Sequence, residues 1–310
     1  MGIKAFAPAT VGNIGVGFDI MGLALERPGD EVIARKSDTP GLRITKIITL
    51  NKRDKLPYEV EKNTAGVAAL RLLQHLGEAG RGIELEIHKK MPFSSGLGSS
   101  AASAVAATLA VSELLRTGLS KRELLPFACA GEQMATGSFI TDNVAPSMLG
   151  GIVLIRDGVT LDVHRLHVPR GMYVTVVYPH IEVMTKSARA ILKPDVSLQQ
   201  FVRQSANVGG FIVGLFNCDI GLIGRSLKDE IIEPQRAGLI PGFYDVKEAA
   251  LAEGVLGCSI SGAGPSVFAL CANSLVAENA GLAMQKAFAK HKVESEIFLS
   301  LVNQEGAVIC

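Results

Sequence analysis

The chain predicts an α+β protein in two domains, on three observations. Strand-length apolar or alternating segments are interleaved with helical ones through the first half. The pattern restarts at Met172, after a hairpin-like stretch, and runs through a second set of strands and helices. At 310 residues the chain suits two domains of about 150 residues each.

Val32 to Arg35 and Leu42 to Leu50 alternate or run apolar over strand lengths. Gly82 to His88 sets Ile83, Leu85 and Ile87 against Glu84, Glu86 and His88, the period-two pattern of a half-buried strand. Asn63 to Leu76 has apolar residues at helical spacing behind an asparagine that can cap. Ser99 to Leu115 reads as a long small-residue helix, and Leu124 to Met134 as more helix. Ile152 to Ile155 and Val159 to Val163 flank Asp157-Gly158, which reads as a hairpin with that dipeptide at its tip. The hairpin closes the first domain, so the division falls at residues 1–166 and 167–310. In the second domain Tyr173 to Tyr178, Gly257 to Ser261, Val267 to Ala272 and Val293 to Leu301 read as strands. Helices are expected around Leu198 to Leu215, Val246 to Glu253 and Leu275 to Lys290. That order is compatible with a ferredoxin-like arrangement.

Composition narrows the function classes. Apolar residues at 48% with 20% charged leave ample material for a core and argue against disorder. A formal net charge of +1, without a block of like charges, offers no stripe for nucleic acid. Cys129, Cys218, Cys258, Cys271 and Cys310 form no C-x-x-C pair and no metal-finger spacing, which favours reduced thiols in a cytoplasm. Pro8, Gly12, Asn13 and Asp19 interrupt the N-terminal region before a signal-peptide core can form. Asn217 and Asp219 break the most apolar stretch, Val208 to Gly224, so no membrane partner is expected.

The stretch most telling of chemistry lies between the Gly82–His88 strand and the Ser99 helix. Pro92-Phe93-Ser94-Ser95-Gly96-Leu97-Gly98-Ser99-Ser100-Ala101-Ala102 supplies glycines that let backbone N–H groups approach an anion. The helix start behind it adds unpaired N–H groups and a positive dipole end. This is a phosphate cradle, in which a side chain at Gly98 is expected to block the anion's approach. No lysine follows Gly98, which excludes a Walker loop. The glycines also fit G-x-G-x-x-A, but more helix follows where a dinucleotide fold needs a strand.

Pro92 to Ala101 resembles the second motif of the GHMP kinases, the galactokinase, homoserine kinase, mevalonate kinase and phosphomevalonate kinase superfamily. Ala7 to Asp19 resembles the first motif and Gly257 to Ser266 the third. Asp142 to Gly151, Thr185-Lys186-Ser187-Ala188-Arg189, and Glu233-Pro234-Gln235-Arg236 with Leu239 to Phe243 bring the resemblance closest to the homoserine kinases. The resemblance implies a two-domain GHMP fold with an N-terminal α+β ATP-binding domain and a C-terminal ferredoxin-like one. It implies ATP and Mg²⁺, with L-homoserine as the phosphoryl acceptor in threonine biosynthesis.

Residue by residue, it places Pro92 to Ala102 around ATP and Ser100 with Glu132 on the metal, as hard oxygen donors suit Mg²⁺. Arg189 and Arg236 fall toward the substrate carboxylate, which a guanidinium grips bidentately. Asn13, Asp19 and Asn143 fall around the ammonium and hydroxyl end, with Thr185 close to the acceptor. Asp142, beside Asn143, is the candidate base, although homoserine kinases are generally thought to manage without one. Taken without the resemblance, Glu132 reads as a surface position on an amphipathic helix. One departure stands out: Ile140 occupies a position where many homoserine kinases carry histidine. A kinase for another small alcohol, a non-catalytic nucleotide-binding regulator and a nicotinamide oxidoreductase are the alternatives, and a homodimer is left open.

Overall fold

The computed structural model describes residues 2–51, 55–136 and 141–310. β1 (Gly2–Gly12) and β2 (Met21–Lys36) form a long antiparallel ribbon, with Ala5 opposite Val32 and Val11 opposite Leu23. Its register shifts where Pro8 faces Gly29 and Thr10 faces Ala24, the extra residues lying in β2 around Pro28. β3 (Leu42–Ile48) lies parallel to β4 (Ile83–His88), which runs antiparallel to β2. As the alternation predicts, Ile83, Leu85 and Ile87 of β4 are buried.

Four helices belong to this half: α1 (Thr64–His75), α2 (Ser99–Leu115), α3 (Lys121–Thr136) and α4 (Val144–Leu149). Asn63 caps α1, its side chain accepting from the N–H groups of Ala65 and Gly66. α2 packs on β1 and β2, with α1 and α3 packed on α2 in turn. Ala101, Ala102, Ala104, Ala106 and Ala107 are all fully buried, and their small side chains let α2 be covered by the sheet and both helices.

β5 (Ile152–Asp157) pairs with the start of β2 and with β6 (Asp162–Leu166). This is the expected hairpin with a different turn. Asp157 Oδ1 accepts the N–H groups of Val159 and Thr160, and Leu161 takes a left-handed φ of 55°. The Asp157 side chain thus holds residues 158–161 in the loop, so Val159 is exposed instead of opening the second strand.

β7 (Tyr173–Pro179), β8 (Gly257–Ile260), β9 (Val267–Cys271) and β10 (Ser295–Leu301) make an antiparallel sheet of order β10-β7-β9-β8. Between β7 and β8 run α5 (Thr185–Ala190), α6 (Leu198–Asn217), α7 (Ile220–Ser226), α8 (Glu233–Arg236) and α9 (Phe243–Ala252). α10 (Ser274–Lys290) connects β9 to β10. α9 and α10 pack against this sheet, giving the ferredoxin-like layer. β11 (Val308–Ile309) then returns to the first sheet and pairs with β1, Ala5 opposite Ile309. The main core is continuous across both sheets, with Phe211, Leu215 and Phe268 joining the cluster that holds Leu23 and Leu85. No helix among the described residues is long and apolar enough to cross a membrane.

Candidate active site

Three loops far apart in sequence converge where the two sheets meet. The N–H of Thr10, at the end of β1, donates to Leu97 O at 3.0 Å. Ser261 Oγ, just after β8, donates to Gly96 O at 2.7 Å, and Ser266 N–H donates to Ser95 O at 3.2 Å. Asn13 Nδ2 donates to Gly262 O at 2.8 Å. The three motif segments picked out in the sequence are therefore one hydrogen-bonded unit.

A cavity of about 590 Å³ opens between them. Ser94 to Ser100, Glu132, Asp142, Asn143, Thr185, Asn13, Asp19, Arg189 and Arg236 all line it. Of the sequence candidates, Pro92, Phe93, Ala101 and Ala102 do not. Both alanines are buried in the first turn of α2, and the ring of Phe93 lies 5.9 Å from Lys89 Nζ. Ile140 lies outside the described residues.

The cradle is built by backbone conformation. Gly96 and Gly98 have φ of 80° and 68°, and Gly98 is the N-cap of α2. A Cβ on Gly98 would stand 2.1 Å from Thr10 Oγ1, so the space it lacks is toward β1. Two of the loop hydroxyls are spent within the fold: Ser95 Oγ on Pro92 O, and Ser99 Oγ on Asp30. Beneath the loop Lys89, buried with Asp30, donates to Asp30, Ser99 O and Ser103 Oγ. Nothing in the sequence alone gives this lysine a role. Its partner stands 59 residues away, and no local pattern announces it.

Glu132, on α3, is buried, which removes the surface reading of this position. Burial raises its pKa, against a hydrogen bond from Ser100 and the charge of Lys89 that lower it. A buried carboxylate joined to a serine hydroxyl at the mouth of a phosphate loop is a hard-oxygen pair that fits Mg²⁺. No cluster of three or more His, Cys, Asp or Glu suited to a metal exists among the described residues. The remaining ligands would be phosphate oxygens and water.

A charged group also lines the cavity. Arg189 on α5 holds Asp19 bidentately, Nη1 to Oδ2 at 2.9 Å and Nη2 to Oδ1 at 2.7 Å. Arg236, buried on α8, donates to Ala188 O and Gly262 O, both at 3.1 Å. The Phe18 ring lies near both guanidiniums, its centroid 5.3 Å from Arg189 Cζ and 5.1 Å from Arg236 Cζ. A ring face offers a nearby cation a favourable partner. Sequence reading missed Phe18; its place beside Asp19 in the first motif is the signal that could have found it.

Asn143 Oδ1 accepts from Thr10 Oγ1 at 2.8 Å, and its Nδ2 donates to Asp142 Oδ1 at 3.0 Å. Asp142 is buried, and burial pushes its pKa up to about 7. The charges of Asp19 and Glu132 add to the rise, while Arg189 and the Asn13 N–H oppose it. Chemically the cavity therefore offers an anion cradle, a hard-oxygen pair, cations for a carboxylate, and a carboxyl whose pKa burial raises to about 7.

Comparison with known proteins agrees with this geometry. Residues 63–151 match the model of the GHMP kinases N terminal domain, and residues 211–290 that of the GHMP kinases C terminal. A homoserine kinase of Chlorobium phaeovibrioides is 46% identical, with 99% of each chain aligned. One from Xanthomonas campestris is 42% identical over 98% of this chain and 92% of its own. The crystal structure of homoserine kinase from Cytophaga hutchinsonii superposes with a TM-score of 0.96 at 51% identity, covering 100% of this chain and 97% of that one. The L. major mevalonate kinase, crystallised with R-mevalonate, shares the fold at a TM-score of 0.73 and 17% identity, covering 96% of each chain. With the three motifs assembled around one cavity and full-length relatives of this similarity, the chain belongs to the homoserine kinase family of the GHMP kinases, which are ATP-dependent small-molecule kinases.

Proposed function

We propose that the enzyme transfers the γ-phosphoryl group of ATP to the side-chain hydroxyl of L-homoserine, giving O-phospho-L-homoserine for threonine biosynthesis. The observation that carries this reading is the convergence of Arg189 and Arg236 on the same cavity as the Gly98 loop. An amino-acid acceptor needs its carboxylate held at one end while its hydroxyl faces the nucleotide at the other.

In this reading the backbone N–H groups of residues 94–100 hold the phosphates, and the start of α2 adds its dipole. Ser100 and Glu132 would hold Mg²⁺, which when bound neutralises charge on the transferring phosphoryl group. Arg189 and Arg236 take the carboxylate of the acceptor. Asp19, already fixed by Arg189, and Asn13 take its ammonium group. Asn143, anchored by Thr10, and Thr185 orient the hydroxyl. Most of the rate then comes from positioning and charge stabilisation. A second reading of the proton transfer makes Asp142 the acceptor of the hydroxyl proton: it lines the cavity beside Asn143, and burial raises its pKa to about 7, where a general base works best.

The proposed division at residues 1–166 and 167–310 is supported by the separation of the strands into two sheets, with β11 crossing back to the first. A cytoplasmic setting is supported by five free cysteines, three of them buried. A homodimer belongs to the same proposal and is tested by light scattering.

The function is tested by ADP release from Mg-ATP with L-homoserine against L-serine, L-threonine, mevalonate and galactose. Turnover with homoserine far above the rest is the expected result. Turnover with another alcohol keeps the kinase and overturns the acceptor.

A further inference from the structure

Behind the wall that Phe18 and Arg189 present to the active site lies a second cavity, also of about 590 Å³. Phe18 and Arg189 line both cavities, but the two differ in character. The second is walled by Val16, Ile20, Leu192, Phe201, Val208, Ile232 and similar side chains. Its polar lining comes from Arg189, Lys193, Gln204 and Ser205 alone. Gln204 is already engaged, donating to Val16 O and accepting from the N–H of Glu230. Among the described residues two cations line the cavity, and no Asp or Glu does.

The volume falls within the range of small-molecule sites, and apolar walls with a few convergent polar groups are their usual construction. Phe201 is 58% exposed and Ile20 38%, so large apolar surface at this cavity faces water until something covers it. Arg189 also has a donor in reserve. Its two Nη groups hold Asp19, while its Nε is buried and has no hydrogen-bond partner.

We propose that this cavity binds a small apolar monocarboxylate, aliphatic or aryl, and that its occupation weakens binding of the acceptor. The hydrocarbon covers the apolar walls, and the carboxylate lies against Arg189 and Lys193. Antagonism follows from charge. An anion on the far side of Arg189 reduces the attraction that the same guanidinium exerts on a carboxylate in the active site, and the coupling is reciprocal. This coupling rests on the reading that Arg189 takes the acceptor's carboxylate, whereas binding to the cavity does not.

The test is calorimetric titration of the full chain with hexanoate and with 3-phenylpropanoate, using hexylamine as the charge control. Parallel titrations use Ser205→Trp, which fills the cavity from α6, and Lys193→Glu, which reverses a charge at its edge. Neither residue belongs to the proposed catalytic machinery. The expected result is one-to-one binding of the carboxylates, about tenfold tighter than the amine and about tenfold weaker in each variant. The KM for homoserine should rise roughly fivefold with the acid bound while kcat holds. Absence of binding at millimolar acid, or equal binding of the amine, overturns the site. So does competition with homoserine that persists in Ser205→Trp, since the acid then occupies the acceptor position. Binding that the variants abolish, without any change in KM, leaves the site standing and overturns the coupling through Arg189.

Discussion

Arg189 and Asp19 are 170 positions apart in the chain and meet through two parallel hydrogen bonds at the seam between the sheets. The pair is about one-third exposed on each side, so its value lies less in stability than in fixing the direction of a guanidinium. Lysine keeps the charge and loses the fork. Arg189→Lys should therefore raise the KM for homoserine by roughly tenfold or more and leave the KM for ATP within about twofold. Steady-state kinetics with each substrate varied would check this, and equal losses for both would point to a disturbed fold.

Gly98 offers a sharper test of the cradle. The obstruction expected from the sequence was of the anion itself, but the structure aims the added carbon at Thr10, whose hydroxyl anchors Asn143. Gly98→Ala must also adopt φ near 68°, at a cost of roughly 1–2 kcal/mol. The expected outcome is loss of ATP affinity together with reduced turnover, measured by calorimetry and single-turnover kinetics. Intact ATP binding would remove the cradle assignment.

Glu132→Gln preserves shape and removes the charge that suits a divalent cation. The Mg²⁺ concentration giving half-maximal rate should rise at least several-fold, with folding judged by thermal melting. An unchanged Mg²⁺ dependence would exclude Glu132 as a ligand.

Asp142 makes a pH prediction. Its folded pKa of about 7 lies above the ordinary value of 3.8, so between these values the folded state holds a proton that the unfolded state has lost. Stability from this group is complete below about pH 4 and falls as the pH rises toward 7 and beyond. Asp142→Asn should thus melt higher than the parent at about pH 8, by the equivalent of roughly 2–4 kcal/mol, with the gap closing toward pH 4. The same variant decides the proton transfer. A fall in turnover of about a hundredfold, with loss of the limb near pH 7, makes Asp142 the base. A rate within about fivefold leaves positioning as the source of catalysis.

Lys89 and Asp30 form a buried pair, and a lone survivor would be an uncompensated charge. Lys89→Met should cost about 3–5 kcal/mol, read by urea denaturation, and Lys89→Met with Asp30→Leu should recover part of it. If the single substitution proves neutral, the pair does not support the loop.

The parts legible in the sequence were those with a local cause. Asn63 announces α1 because it caps it, and the alternation of β4 shows in six residues. The phosphate loop is readable because its conformation needs glycine at two fixed places. The long ribbon was largely hidden: β1 is interrupted by Pro8 and is rich in small residues, and β2 runs through Arg27-Pro28, which reads as a break. Their pairing stabilises an extended shape that neither segment advertises. The buried Lys89–Asp30 pair and the approach of Phe18 to Arg189 and Arg236 arise only when distant segments meet, so residue type names the candidates and topology gives them partners.

The return of β11 to β1 has a consequence for synthesis on the ribosome. Val308 and Ile309 pair with Phe6 and Ala5, and the Asn303 N–H donates to Ala24 O, so the edge beside β1 is covered by residues that follow every residue of the candidate site in the chain. A nascent chain that has emitted every residue lining the active-site cavity still carries a bare strand edge. Termination just before residue 303 would therefore yield a polypeptide with its whole candidate site encoded and an open β1 prone to pair with a neighbour.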